Sequence, residues 1–192
     1  MENIIEQDDY IVKKRRHELI DDIVYMSPAP SVKHNKIMLK ISFEFEHYLR
    51  GKKCSVNVGV NVFYNPDKPK NHVIPDISVM CEPEKFKPNG YYGAPSLIVE
   101  IVSTNRKDDL ITKFNLYERI GVTEYWIVEP LSDSINQYIL VDGRYKLIET
   151  YQHLSPEDIE LMDEDEQEEH KLFVKPTIFD DLEIPLEYIF GE

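Results

Sequence analysis

The sequence predicts a mixed α/β fold in which a central β-sheet is flanked by helices. Two segments carry apolar residues at the 3.6-residue spacing of amphipathic helices, and shorter segments show strand-like alternation or continuous apolar runs. Such an order of elements is typical of sheets covered by helices. The 192 residues, 42% of them hydrophobic, are enough for one sizeable core but few for two. We therefore predict a single domain over residues 1–192, with additional β-hairpins.

A β-hairpin and a long helix are the first predicted elements. Residues 18–25 form the hairpin, with Asp21-Asp22 at its turn. The helix lies between Ser31, a predicted N-cap, and Gly51, a predicted C-terminal stop. Its apolar face consists of residues at helical spacing: Ile37, Ile41, Phe45, Tyr48 and Leu49.

Three strands are predicted after this helix. Residues 56–62 alternate valine with polar residues, which predicts one strand with a single buried face. Residues 77–81 and 97–103 are two further short strands, separated by a loop rich in proline and glycine. The second of these strands is apolar on both faces and therefore belongs in the middle of a sheet. Its one charged residue, Glu100, needs a specific explanation.

The second half of the chain adds one more long helix and a second hairpin. Asp108 or Asp109 is predicted to cap a helix that runs to Ile120 and ends at Gly121. The remaining predicted elements are a strand over 124–129, a hairpin of 135–141 and 145–150 around Asp142-Gly143, and an apolar segment over 179–190.

The charge of the chain is strongly negative and unevenly distributed. A net charge of −14 argues against a protein that coats nucleic acid through bulk electrostatics. Nine of the residues in 157–169 are acidic and none is Lys or Arg, so we predict an exposed helix or partly disordered excursion at about 155–170. Basic residues recur at 13–16 and at Lys33, Lys36 and Lys40, as a solvated surface or a local phosphate-contacting one.

The sequence also bounds the cellular setting. No apolar run approaches the roughly 20 residues that a membrane-spanning helix needs. The first residues lack the basic start and apolar stretch of a secretory signal, so we expect a cytoplasmic protein without membrane association. Cys54 and Cys81 lie in strand-like segments without a CxxC pattern, and we expect them to be buried free thiols.

Candidate catalytic chemistry is concentrated between residues 75 and 113. Asp76 begins one predicted strand and Glu100 lies within its neighbour, so the two carboxylates can converge and share a divalent cation. Mg²⁺ suits carboxylate and water oxygens better than zinc does. Lys113 flanks the sheet-facing side of its helix and can point toward Glu100. A cation and a lysine together suit phosphodiester hydrolysis by an activated water.

Each candidate has a structural alternative. Asp76 can simply cap a turn after its proline, and Lys113 can extend its stem over the helix flank. Glu100 is harder to explain structurally, because an unpaired buried carboxylate is costly. His34 lies on the apolar face of the first helix and is either a site member or a structural histidine.

The order of these motifs resembles the Uma-two family of predicted restriction endonucleases. The resemblance extends from the first hairpin to residue 190, and its specificity lies in the joint order of individually weak motifs. The residues that carry it are Glu18-Leu19-Ile20-Asp21, Met26-Ser27-Pro28, His34, Pro75-Asp76, Val99-Glu100-Ile101-Val102-Ser103, Asp109-Leu110, Lys113, Tyr117, Gly121-Val122, Glu124-Tyr125-Trp126-Ile127-Val128 and Pro130.

This resemblance implies a PD-(D/E)XK nuclease fold with Asp76 and Glu100 as ligands of Mg²⁺, for which Mn²⁺ can substitute. Val102 occupies the place where the superfamily usually has its lysine, so the family pattern passes that role to Lys113. The implied partner is nucleic acid, in particular DNA, and the chain is either a monomer or a homodimer. The acidic excursion and the turn at 103–105 depart from the family pattern. A catalytically silent binding or regulatory module on the same fold is the alternative function.

Overall fold

The structure, a computed structural model, describes residues 17–26, 29–103 and 107–191, with only the backbone described for residues 107–109. The basic run at 13–16, Ser27-Pro28 and residues 104–105 of the predicted turn lie outside these ranges. The strands are β1 His17–Ile20, β2 Ile23–Met26, β3 Ser55–Val58, β4 Val62–Phe63, β5 His72–Val73, β6 Ile77–Met80, β7 Phe86–Lys87, β8 Gly90–Tyr92, β9 Leu97–Ile101, β10 Glu124–Glu129, β11 Ser134–Val141, β12 Arg144–Gln152, β13 Phe173–Val174 and β14 Ile184–Pro185. The helices are α1 Val32–Leu49, α2 Lys107–Ile120, α3 Pro156–Glu160, α4 Glu164–Glu169 and α5 Leu186–Phe190, with one 3-10 turn at Pro83–Lys85.

The larger sheet has six strands in the order β12-β11-β10-β9-β6-β3. The β9 and β10 strands are parallel, and the other neighbours are antiparallel. All five residues of β9 are buried, as expected for a strand that is apolar on both faces and lies inside a sheet. Glu100 is thereby held in the middle of the sheet.

One long helix covers each face of this sheet. Helix α1 begins where Ser31 accepts a hydrogen bond from the amide of His34, and it ends before Gly51, whose φ is +76°. Its apolar stripe packs with Trp126 in one core cluster. Helix α2 packs on the opposite face, where Tyr117 and Tyr125 belong to a second cluster. Burying each such side chain stabilises the fold by about 1.5–3 kcal/mol.

The smaller sheet has the strand order β2-β1-β5-β4-β8-β7. It covers the outer side of the second core cluster. Its β1–β2 hairpin has the predicted turn, with φ of +49° at Asp21 and +68° at Asp22. Strand β1 is half buried in alternation, so that Glu18 and Ile20 point inward together. The smaller sheet therefore places the buried carboxylate of Glu18 on the side of the larger sheet where Glu100 is also buried.

The valine-rich segment over 56–62 is two strands, and the prediction of one strand was wrong. Strand β3 belongs to the larger sheet and β4 to the smaller one. The chain breaks at Gly59, whose φ of +61° is unfavourable for other residues. Its amide donates to the carbonyls of Pro75 and Asp76 at 3.2 and 3.3 Å. A period-two pattern continues across this break because alternate residues of both strands still face a core.

Cys54 and Cys81 form a disulfide, and the expectation of buried free thiols was wrong. The pairing of Ser55 with Met80 continues by one residue to these cysteines, which places them directly opposite each other. Both side chains are only half buried. Sequence spacing does not reveal the contact, because it depends on which two strands are neighbours.

Other predicted elements differ in their boundaries. Helix α2 begins at Lys107, so Asp108 and Asp109 lie within its first turn instead of capping it. The central strand ends at Ile101 instead of continuing to residue 103. The proline- and glycine-rich loop contains the 3-10 turn and the β7–β8 hairpin.

The acidic segment forms two short capped helices on the surface. Ser155 caps α3, and Asp163 caps α4 by a reciprocal pair of hydrogen bonds with Glu166. Neither helix has a buried residue, as predicted for a run of carboxylates. Among the helices of the described residues, none is long and apolar enough to cross a membrane.

Glu124 attaches the C-terminal part of the chain to the larger sheet. This side chain is fully buried at the start of β10. Its Oε1 accepts hydrogen bonds from Trp126 and Gln137, both at 2.6 Å. Its Oε2 accepts from the amide and hydroxyl of Thr177 at 2.7 and 2.6 Å and from the Ile178 amide at 3.2 Å. Five donors thus stabilise a carboxylate that sequence reasoning assigned only to a strand.

Candidate active site

Asp76 and Glu100 occupy facing positions on adjacent strands. The antiparallel register pairs Ile77 with Val99, and its continuation by one residue sets Asp76 opposite Glu100. Glu100 projects to the face covered by α2, where it contacts Lys113 and Tyr117. Asp76, at the end of its strand, contacts His34 of α1, and its charge also acts on Glu100. The two predicted carboxylates are therefore brought together.

Two groups fix the orientation of Asp76. Its Oδ2 accepts a hydrogen bond from His34 Nε2 at 3.1 Å and from the Ile101 amide at 2.9 Å. Burial raises the pKa of Asp76, but His34, the amide and the charge of Lys113 together outweigh this effect and hold it below its usual value. His34 itself is 5% exposed at the start of α1. The place of His34 on the buried face of α1 therefore brings its ring next to the Asp76 carboxylate.

Glu100 has the opposite electrostatic balance. Burial raises the pKa of Glu100 to about 8, and the charges of Asp76 and Glu18 act in the same direction. The Lys113 ammonium, 3.2 Å from Oε1, and the Tyr117 hydroxyl, 2.7 Å from the same oxygen, act against this rise. The pair is thus asymmetric, because Asp76 readily keeps its charge while Glu100 tends to hold a proton.

Glu18 is a member of this cluster that the sequence analysis did not identify. Its Oε1 accepts from the Ile74 amide at 2.7 Å and lies 3.1 Å from Lys113 Nζ. Its Oε2 is buried and has no hydrogen-bond partner within the described part of the chain. The available signal was the alternation in β1, where Glu18 shares a face with the buried Ile20. A charge at an inward position of a hairpin predicts a buried partner.

The donor set suits a hard divalent cation. Among the described side chains, three carboxylates, from Glu18, Asp76 and Glu100, surround the ammonium of Lys113, so this part of the cluster carries more carboxylates than ammonium groups. Oxygen donors with excess negative charge are what Mg²⁺ prefers. No group of three or more candidate ligand side chains is already assembled among the described residues. Mg²⁺ usually retains several waters, so two carboxylates are a sufficient protein contribution.

Access to the cluster is from the Asp76 side. The Asp76 side chain is 15% exposed, whereas those of Glu100 and Lys113 are 5% and 3% exposed. His34 and the Ile101 amide both donate to the same oxygen of Asp76, Oδ2, so neither of them uses Oδ1. A ligand would therefore first meet Asp76 and reach Glu100 behind it.

The lysines of α1 only partly provide the phosphate-contacting surface considered from the sequence. Lys33 pairs with Asp133 at 2.8 Å, and Lys40 donates to the Gly191 carbonyl at 2.7 Å. Lys36 is exposed to solvent. Two of the three ammonium groups thus already have partners within the chain.

A six-stranded mixed sheet with a helix on each face agrees with the restriction-endonuclease-like class of α/β proteins. Residues 7–165 match the family described as "Uma2: Putative restriction endonuclease". The match covers most of the 192 residues, and the chain belongs to this family.

The chain is also similar to individual proteins. An uncharacterized protein from Synechocystis is 28% identical over 142 residues, which are 73% of this chain and 74% of that protein. The crystal structure of a "putative nuclease belonging to DUF820" from Anabaena variabilis matches with a TM-score of 0.70 and 15% identity, over 96% of each chain. At this identity the structural match establishes the shared fold.

Proposed function

We propose that the protein is a metal-dependent endonuclease that hydrolyses phosphodiester bonds in DNA, with Asp76 and Glu100 as ligands of Mg²⁺ or Mn²⁺. The observation that carries this proposal is the pair of neighbouring carboxylates, Asp76 directly before β6 and Glu100 within β9, with Lys113 Nζ 3.2 Å from Glu100. Membership of a family described as restriction endonucleases agrees with it.

The side chains of the cluster have distinct roles in this mechanism. Asp76 is oriented by His34 and the Ile101 amide, both bonded to Oδ2, so its other oxygen can serve as a ligand. Glu100 supplies the second carboxylate. When bound, the cation lowers the pKa of a coordinated water and offsets charge on the phosphate. His34 is therefore a positioning residue that acts through Asp76.

Lys113 stabilises developing negative charge in this proposal. Its ammonium is held between Glu18 and Glu100 at 3.1 and 3.2 Å, so its direction is fixed before substrate arrives. Preorganised cations contribute to catalysis because they need no reorientation during the reaction. Glu18 thus positions Lys113, in the same way that His34 positions Asp76.

The test combines metal binding with cleavage. Asp76→Asn and Glu100→Gln should each abolish Mg²⁺ binding in calorimetry and cleavage of DNA, because one carboxylate is a poor site for a strongly hydrated cation. Glu84→Gln, at an exposed carboxylate away from the cluster, is the matched control. The substrates are single-stranded, duplex and branched DNA, with RNA for comparison. If the wild-type protein with Mg²⁺ or Mn²⁺ cuts none of them, the nuclease proposal is wrong.

A catalytically silent binding module is the second candidate, and one observation favours it. Glu18, Glu100 and Lys113 are all buried, and both glutamates already pair with the Lys113 ammonium. The net charge of −14 also opposes tight binding to nucleic acid. Retention of DNA by the wild-type protein without cleavage at any metal concentration would identify this second function.

A further inference from the structure

Helix α1 has an outward-facing stripe with two large apolar residues at its centre. Its exposed residues at helical spacing are Val32, Lys36, Leu39, Phe43, Glu46 and Arg50. Leu39 is 64% exposed and Phe43 is 57% exposed, although the inner face of the same helix already supplies the core. Large apolar residues grouped on an exposed surface mark interaction sites, whereas single ones need no explanation.

The stripe continues into a groove. A cavity of about 490 Å³ lies beside it, with walls that include Leu39, Phe43, Val56 and Tyr188. Val56 belongs to β3, the edge strand of the larger sheet. The apolar surface therefore extends from α1 to the sheet edge and to α5, and a side chain from a partner has a place to insert.

The order of residues along the stripe is self-complementary. A two-fold axis at the level of Ile41 pairs each position with one on an antiparallel copy of α1, so that Leu39 faces Phe43. The same operation sets Lys36 opposite Glu46, which joins opposite charges at both ends of the apolar centre. Isologous dimer interfaces require this property, because one surface must match itself. Inclined helix crossings allow such stripes to interdigitate.

We propose that the occupant of this surface is a second copy of the chain, and that the protein is a homodimer through antiparallel α1 helices. The apolar centre of Leu39 and Phe43 supplies burial, and the two Lys36–Glu46 pairs set the direction of the helices. The inner face of α1 carries His34, which bonds Asp76, so the dimer interface and the candidate site share one helix. This proposal is independent of nuclease activity.

Charge reversal tests the pairing directly. Lys36→Glu and Glu46→Lys each create two like-charge contacts in a homodimer, and each should weaken dimerisation about tenfold or more. When the two variants are mixed, every contact is again between opposite charges, so a heterodimer should form. Sedimentation velocity, against a chain mass of 22.6 kDa, measures both results. The double variant K36E/E46K should recover the wild-type dimer.

Lys146→Glu is the matched control, since it reverses an exposed charge on β12, away from α1. It should leave the dimer unchanged, whereas Leu39→Ser with Phe43→Ser should yield monomers with unchanged circular dichroism. A wild-type protein that sediments as a monomer at 100 μM would overturn the proposal. A dimer that the Lys36 and Glu46 reversals leave intact would overturn it equally.

Discussion

Glu100 determines how the metal-free cluster responds to pH. Its pKa is raised from an ordinary 4.5 to about 8, mainly because burial disfavours the carboxylate form. A raised pKa in the folded state contributes stability below the unfolded pKa, and this stability is lost as pH rises through the folded pKa. In the metal-free protein, the Glu100 contribution should therefore fall between about pH 4.5 and pH 8.

A Glu100→Gln variant should remove this dependence. At pH 5 the protonated glutamic acid and the amide are similar, so the two melting temperatures should be close. At pH 8 the glutamate is ionised in the unfolded wild-type chain, while about half of the folded molecules still hold the proton on Glu100. The variant should therefore be relatively more stable at this pH by several degrees or more, since each kcal/mol corresponds to roughly 2–4 °C. Thermal melts in chelator across this range provide the measurement. A constant difference between the proteins would contradict a raised pKa of Glu100.

Lys113→Met separates charge stabilisation from metal binding. Methionine keeps most of the side-chain volume but removes the ammonium that lies 3.1 Å from Glu18 and 3.2 Å from Glu100. We expect Mg²⁺ binding to persist and the cleavage rate to fall on the order of 10²-fold or more. Calorimetry and single-turnover cleavage should be compared on the same preparation. Equal losses of binding and cleavage would mean that Lys113 only supports the fold.

The site residues differ in how far sequence could predict them. Glu100 stands out because its charge interrupts an apolar strand, whereas Asp76 and Lys113 were identified from their places at the start of a strand and on the flank of a helix. The three side chains lie close together. His34 was ambiguous, since an apolar helix face does not identify the partner across the core. Glu18 was missed because its role depends on how the smaller sheet packs against α2. Contacts between distant elements are not contained in local periodicity.

At the scale of elements, the acidic segment is the clearest case of a surface addition. Helices α3 and α4 have no buried residues, and their caps are local hydrogen bonds within the segment. Replacing residues 156–169 with a short Gly-Ser linker should change the melting temperature by less than about 3 °C. Retention on DNA at low salt should increase, because nine negative charges are removed.

A full-length variant with these nine carboxylates changed to amides is the control for this deletion. It removes the charge and keeps the chain length, so it should show the same gain in DNA retention. A large loss of stability in the linker variant would mean that the segment packs against the body of the protein.

Element boundaries were predictable where a local signal exists. Ser31 and Gly51 delimit α1, and Asp142-Gly143 forms the β11–β12 turn, because capping and turn preferences are properties of adjacent residues. The break at Gly59 was missed because valines continue the same alternation on both sides of it. Its cause is the approach of the Pro75 and Asp76 carbonyls, which are distant in sequence.

At the scale of the whole molecule, Glu124 joins the larger sheet to the C-terminal segment. Glu124→Gln replaces an acceptor by an NH₂ group that faces the amide and hydroxyl donors of the buried network. We expect a loss of about 3 kcal/mol in the free energy of unfolding. Urea denaturation measures this change, and Glu84→Gln, at an exposed carboxylate beyond the network, is the control. A change below about 0.5 kcal/mol would show that the network contributes little.

The same network sets an order of events during protein synthesis. The donors that complete Glu124 come from Thr177 and Ile178, which leave the ribosome 53 and 54 residues after it. Until then Oε2 would be a buried carboxylate oxygen without those partners, so closure of the sheet around it is unfavourable. At a translation rate of about 5–20 residues per second, this interval lasts several seconds. The buried network around Glu124 can therefore form only after residues 177 and 178 have emerged, well after the strand that carries the carboxylate.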